Sequence, residues 1–318
     1  MKNDNSAIQP TSIAERAGGM RRPPGRPDRR AAWRGSLLAG AGVISFSGSF
    51  PATVFAMRGF DPYLVAIGRA AVAAVPAIIC LRVAGLPLLP PRGRLGPYVL
   101  IVLGVVLGFP LFSGLALDGG ASAAHAAVVT GLLPAATAAC AVLRAGERPR
   151  PLFWVACAAG ALSVTAFTLT RGGGHFAMAD LLLVLALLSA AVGYTEGGRL
   201  ARETPGWQVI SYALVLAVPI TVPVTAVLAL TTEAEPTGVS LAGFAYVGLV
   251  SMFLGFIPWY AGLAMGGIAR AGQLQLAQPL LTLVWARWLL GERFGVLTIA
   301  AALAVLVCVA ATQAGRHR

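Results

Sequence analysis

An arginine inside an apolar run is the first residue in this chain that asks for a chemical explanation. Arg69 sits between Val65-Ala66-Ile67-Gly68 and Ala70-Ala71-Val72-Ala73. If that run crosses a bilayer, the cation costs at least about 2.5–3.5 kcal/mol and must face a cavity, a counter-ion or the headgroups. It can anchor the carboxylate of a bound molecule; a structural ion pair with Asp61 or Asp118 is the competing use. Further along, Gln273, Gln275 and Gln278 crowd ahead of Pro279. Amides in an apolar helix are costly unless paired, and a proline frees the carbonyl one turn before it. Such a cluster lines a polar path or bonds one helix to another. Ser47 and Ser49, which flank Gly48, together with Tyr194, Tyr260 and Phe112 complete the candidate substrate-binding set.

Two titratable groups are placed to carry a proton, His125 and Glu196. Glu196 has Arg199 one turn on, so an ion pair is its competing use. Glu147 and Glu292 follow apolar runs and precede others, where a carboxylate caps the free N–H groups of the next helix. Enzyme chemistry finds no reagents. Lys2 is the only lysine, so neither a phosphate-binding P-loop nor a Schiff-base lysine is available within the apolar runs. His125, His175 and His317 are scattered, and no metal site is expected. Cys80, Cys140, Cys157 and Cys308 show no C-x-x-C spacing. No catalytic set, metal or cofactor is expected.

The elements that position these residues follow from composition. Hydrophobic residues make up 57% of the chain, charged residues 11%, and the mean hydropathy is +0.78. Soluble domains carry about 25% charged residues. Ten apolar runs, at about 35–57, 63–82, 96–117, 121–143, 152–170, 178–199, 207–230, 241–265, 268–290 and 294–313, each approach the roughly 20 residues that span a bilayer as helix. The alternation of a barrel strand is absent. The fold class expected is all-α integral membrane. The net charge of +12 lies in tails and short loops, so it orients the chain and does not imply nucleic-acid binding. Residues 1–34 are proline- and arginine-rich and read as a disordered basic cytoplasmic tail.

Pro134, Thr137, Ala141, Gly146, Glu147 and Arg148 recur as Pro279, Thr282, Ala286, Gly291, Glu292 and Arg293, an ungapped offset of 145. Five helices per copy is an odd number, so the second copy must enter the membrane upside down. With both termini inside, 19 basic residues fall on the cytoplasmic side and 3 outside, Arg69 and Arg287 lying within helices. Two inverted repeats around a central cavity are the architecture of alternating access. Pro134 and Pro279 are then the expected hinges.

At these residues the chain resembles the drug/metabolite transporter superfamily, EamA type. The match lies in Phe46-Ser47-Gly48-Ser49-Phe50-Pro51, in Pro62 with Arg69, and in the two repeat ends. These run from Gly114-Leu115-Ala116-Leu117 through Pro134 to Gly146-Glu147-Arg148, and from Gly262-Leu263-Ala264-Met265 through Pro279 to Gly291-Glu292-Arg293. It covers about 35–313 and implies two EamA-like repeats, 35–170 and 178–313, before a short tail at 314–318. It also implies export or facilitated passage of a small polar metabolite such as an amino acid. A passive facilitator and a membrane-embedded enzyme are the alternatives. The expected partners are a small-molecule substrate and the lipid bilayer, and the oligomeric state stays open, a monomer included. The scarcity of lysine beside abundant arginine and alanine suggests a GC-rich bacterial genome and hence the cytoplasmic membrane. The geometry is checked by reporter fusions, which should place residues 147 and 292 on opposite faces of the bilayer; the same face for both would refute inversion.

Overall fold

The computed structural model describes residues 29–145, 151–171, 175–266 and 274–316, and among them every regular element is helical. Among the described residues seven helices are long and apolar enough to cross a membrane: α1 (Trp33–Met57), α2 (Pro62–Val83), α3 (Arg92–Asp118), α4 (Ala123–Arg144), α6 (Met178–Leu200), α7 (Gly206–Thr231) and α8 (Gly238–Met265). The remaining expected spans carry α5 (Pro151–Arg171), α9 (Ala277–Leu289) and α10 (Val296–Arg316). The apolar stretches of α5 and α10 are Trp154–Thr170 and Val296–Ala311, shorter than a full span. Helical turns begin at Arg29, inside the segment expected to be a disordered tail. After Pro27 no residue breaks a helix, and Ala31 and Ala32 favour one.

Local chemistry sets the helix starts. Pro62 opens α2, and the Asp61 carboxylate accepts the amides of Tyr63 at 2.8 Å and Leu64 at 3.2 Å. The Ser122 hydroxyl accepts the His125 amide at 3.1 Å to cap α4. Thr237 and Ser240 exchange reciprocal caps at the start of α8. Large apolar side chains such as Val75, Ile79, Leu103, Leu188, Val227 and Val307 point outward, which water would penalise and lipid does not.

Four helices are interrupted, and three of the interruptions are duplicated or matched at the repeat offset. A π-helical segment spans Val102–Gly108 in α3 and another Tyr246–Leu254 in α8. Each extra residue in such a bulge turns the helix beyond it by about 100°. The α4 helix breaks at Gly131–Leu132, ahead of Pro134, and the chain breaks again at Leu276, ahead of Pro279. The α1 helix is interrupted at Gly48.

The helices pack in a pattern that exchanges one half of the chain for the other. The α2 helix packs on α7, α5 on α10 and α4 on α9, each on the helix at its own position in the second half. The α1 helix packs on α8 while α3 packs on α6, and these two pairs are exchanged counterparts. Small residues permit the approach. A Cβ on Gly104 of α3 would stand 2.5 Å from the Ser189 carbonyl oxygen and 2.9 Å from the Gly193 amide of α6. Gly104→Ala should therefore force α3 from α6 and lower the thermal midpoint in detergent, at a cost of about 1–3 kcal/mol; an unchanged midpoint would show that the two helices are not held this close.

Candidate functional site

Seven helices converge on one cavity inside the bundle. From the first half it is lined by Phe46, Ser49 and Phe50 of α1, Arg69 of α2, Val105 and Phe109 of α3, and Thr130 and Leu133 of α4. From the second half come Ala190 and Tyr194 of α6, Ser251 and Phe256 of α8, and Gln278, next to Pro279 in α9. The free space is about 30 Å³, room for one or two waters. A larger space of about 560 Å³ lies at the outer surface of α1, α8 and α9, but its lining is almost wholly apolar, with residues such as Ile44, Phe55, Val239 and Leu289. Polar side chains converge in the central cavity instead.

Arg69 is the only charge at that centre among the described residues. It is 4% exposed. Its Nη2 donates to Ser251 Oγ at 2.9 Å, and Ser251 Oγ shares a hydrogen bond of 2.6 Å with Ser49 Oγ. Its Nε is buried without a protein acceptor. Asp61 and Asp118 do not pair with it: Asp61 is spent capping α2, and Asp118 is exposed at the end of α3. A buried guanidinium offers five donors and tolerates no isolation, so the arrangement leaves a cation open to an anionic ligand.

Of the other expected lining residues, Ser49, Tyr194 and Gln278 reach the cavity, and Gln278 Oε1 is buried without a partner. Gln275 is buried in an adjoining crevice with Thr130, Pro134, Gln278, Pro279 and Thr282, so the two prolines of the repeat face one another there. Ser47 is not among the cavity-lining residues. Its hydroxyl accepts Trp285 Nε1 at 2.9 Å and its carbonyl accepts the Thr282 hydroxyl at 2.9 Å, bonds that fasten α1 to α9. Tyr260 lies outside the cavity, packed on Gly197 and against the Phe256 ring. Phe112 is also outside it, and Phe109, three residues earlier on the same helix, takes the lining position. Ser251 escaped the sequence reading; its one signal was a lone serine in the run 241–265.

The titratable residues sit away from the cavity. His125 Nε2 is 3.1 Å from Asp180 Oδ1, both side chains nearly enclosed, and the His125 ring meets Phe167 edge-on. The other Asp180 oxygen accepts the Ala177 amide at 2.9 Å. Glu196 is held by two arginines, with Arg144 Nε at 2.8 Å and Arg199 Nη2 at 2.9 Å. Glu292 accepts the Ala123 amide at 2.8 Å and the Ala124 amide at 3.1 Å. It thus caps α4 of the other half, not the helix that follows it. The positive φ of Gly291, 68°, turns the chain just before it. Glu147 lies outside the described residues, as do Gln273 and Arg270. Among the described residues no three His, Cys, Asp or Glu side chains group as a metal site.

Comparison with known proteins now bears on this geometry. The model of the EamA-like transporter family matches the chain twice, over residues 33–169 and 177–312. The chain belongs to the EamA-like transporter family. An uncharacterized transporter of Bacillus subtilis (strain 168), YdeK, is 44% identical over 277 residues, which cover 86% of this chain and 94% of that one. A crystal structure of a protein 23% identical superposes with a TM-score of 0.60, covering 88% of this chain and 98% of the other, a likeness of fold alone. In this EamA-like transporter, Glu292→Ala should remove both acceptors at the start of α4 and cost about 1 kcal/mol. A thermal midpoint equal to the parent protein's would show that the cap carries no stability.

Proposed function

We propose that the protein is a secondary transporter of a small polar metabolite such as an amino acid, working by alternating access between two inverted five-helix halves. The observation that carries this reading is Arg69, buried without a counter-charge among the described residues where both halves meet. Inversion is supported by the exchanged helix pairings, the paired π-helical segments and the paired breaks before Pro134 and Pro279. The two matches to one family model support the duplication.

Polar contacts tie the halves at both ends of the bundle. At one end, His125 meets Asp180, Glu292 caps α4, and the Glu235 amide donates to the Gly59 carbonyl at 3.1 Å. At the other, Arg144 reaches Glu196 and Arg94 pairs with Glu203 at 2.7 Å. In the orientation set by the basic residues the first group is extracellular and the second cytoplasmic, with both termini in the cytoplasm. A rocking cycle opens one group while the other holds. Arg94 and Glu203 are both substantially exposed, a kind of pair worth about 0–1 kcal/mol, and the buried Glu196 keeps Arg199 as a partner when Arg144 moves away.

Any proton coupling belongs to His125 with Asp180, since Glu196 is neutralised by two guanidinium groups. Export from the cytoplasmic membrane is the direction the family resemblance favours. The test compares metabolite release from cells with and without the protein, then repeats it with Arg69→Ala and Gln278→Ala. Arg69→Ala should cut the flux at least about tenfold and Gln278→Ala less. In proteoliposomes flux should saturate, and a response to a pH gradient would separate coupling from passive facilitation. Undiminished flux with Arg69→Ala would overturn the site, and chemical conversion in detergent would favour an enzyme.

A further inference from the structure

We infer that the cargo is a monoanionic carboxylate with an aromatic or otherwise apolar body and no ammonium group. The inference rests on the transport reading of the central cavity, but within it replaces the amino acid by a carboxylate that lacks the ammonium group.

Net charge carries the first part. None of the described carboxylates lines the cavity. Asp61 and Glu292 cap helices, Asp180 faces His125, and Glu196 and Glu203 pair with arginines. Asp118, Glu233 and Glu235 are exposed at helix ends and loops. A closed cavity holding Arg69 and a zwitterion still carries one uncompensated positive charge. The same cavity holding a monoanion is neutral, and burying a charge is tolerated only when it is paired. Arg69 has the donors for this: Nη2 reaches Ser251, and Nε lacks a protein acceptor.

The acceptors argue the same way. An ammonium needs a carboxylate or several oxygens around it. The Thr130 hydroxyl donates to the Ala126 carbonyl at 2.7 Å, and Ser49 and Ser251 are joined to one another; their oxygens keep lone pairs but carry no formal charge. Gln278 Oε1 is the one buried side-chain acceptor of the cavity left unpartnered among the described residues. Neutral hydroxyl and amide oxygens beside a fixed guanidinium, with no carboxylate among them, are a poor home for a second cation.

The body of the cargo follows from the rings. Phe46, Phe50, Phe109, Tyr194 and Phe256 form most of the apolar lining. Phe46 and Phe256 are 4.8 Å apart between centroids, and Tyr194 stands edge-on to Phe256 at 6.0 Å. At these spacings the rings touch one another and leave only about 30 Å³ among them, so an apolar body meets their faces or edges once the halves part. A cell interior at negative potential drives such an anion outward without a coupling proton, which suits export.

The experiment uses three probes that share a phenylethyl body: 3-phenylpropionate, L-phenylalanine and phenethylamine. Binding to the purified full chain in detergent is measured by equilibrium dialysis at neutral pH. 3-Phenylpropionate should bind at least about tenfold more tightly than L-phenylalanine, a difference the pairing of one charge readily supplies, and phenethylamine should bind most weakly. Arg69→Gln should abolish that order, and Arg69→Lys, which keeps the charge and loses the fork, should weaken 3-phenylpropionate while preserving it. If neither variant folds, the ranking in the unaltered protein decides alone. L-phenylalanine or phenethylamine binding as tightly as 3-phenylpropionate overturns the inference, as does the absence of saturable 3-phenylpropionate binding. Either result leaves the transport reading standing, because that reading fails on a different measurement, the loss of saturable flux.

Discussion

A guanidinium placed among apolar helices has to be answered by something, and much of this architecture is arranged around how Arg69 is answered. The protein supplies one hydroxyl, Ser251, backed by a second, Ser49. That three-residue chain draws α1, α2 and α8 to a common point, two helices from the first half and one from the second. Ser251 lies within the π-helical segment of α8, and Val105, across the cavity, lies within that of α3. A regular helix would rotate either residue out of place by about 100°. The bulge in α8 therefore aims Ser251 at the cation, and the bulge in α3 lies where Val105 lines the cavity. Bulges of this kind recur at functional sites for the same geometric reason.

Around that centre Ser47 also bonds Trp285 and Thr282 of α9, and further polar contacts join the halves at the two ends of the bundle. Core packing across the halves is made of alanine, glycine and rings, which slide without leaving polar atoms unpaired. Cross-half bonds at the two ends join Arg144 to Glu196 on one side, and His125 to Asp180 and Glu292 to the start of α4 on the other. Glu292 is a telling case. As a cap on its own following helix it would stabilise one half in any state; as a cap on α4 it stabilises only the states in which the halves touch. A carboxylate at a helix N-terminus is worth about 1 kcal/mol, enough to bias a conformational equilibrium about fivefold and too little to lock it.

The all-helical fold and the repeat were legible because hydropathy and a fixed 145-residue offset are properties of the sequence itself. Arg69, Ser49, Tyr194 and Gln278 were legible because polar groups in apolar runs are conspicuous, and all four line the cavity. Phe112 and Tyr260 were named for their residue type, and neither lines the cavity. Their helices, α3 and α8, each carry a π-helical segment, which no hydrophobic pattern announces. Ser47 and Ser49 read alike in sequence, yet positions two apart on a helix stand about 200° apart, and Ser49 reaches the cavity while Ser47 bonds α9. The partner of Glu292 was beyond reach because a cap taken from the opposite half is a tertiary fact, whereas the rule that places caps is local.

The scaffold repeats, but the chemistry at its centre does not. Ser49 and Tyr194 occupy corresponding positions in the two repeats, as do Leu133 and Gln278, and all four line the cavity. Thr130 and Gln275, another corresponding pair, share the adjoining crevice. The position matching Arg69 is Leu214, fully buried, and the position matching Ser251 is Val106. Mechanical equivalence of the halves requires only that backbones and breaks correspond, since rocking moves helices as bodies. Recognition of one cargo in one orientation requires that the side chains differ, since a two-fold pair of arginines would present two cations to a single charge. Duplication supplies the first property, and divergence at a few cavity positions supplies the second.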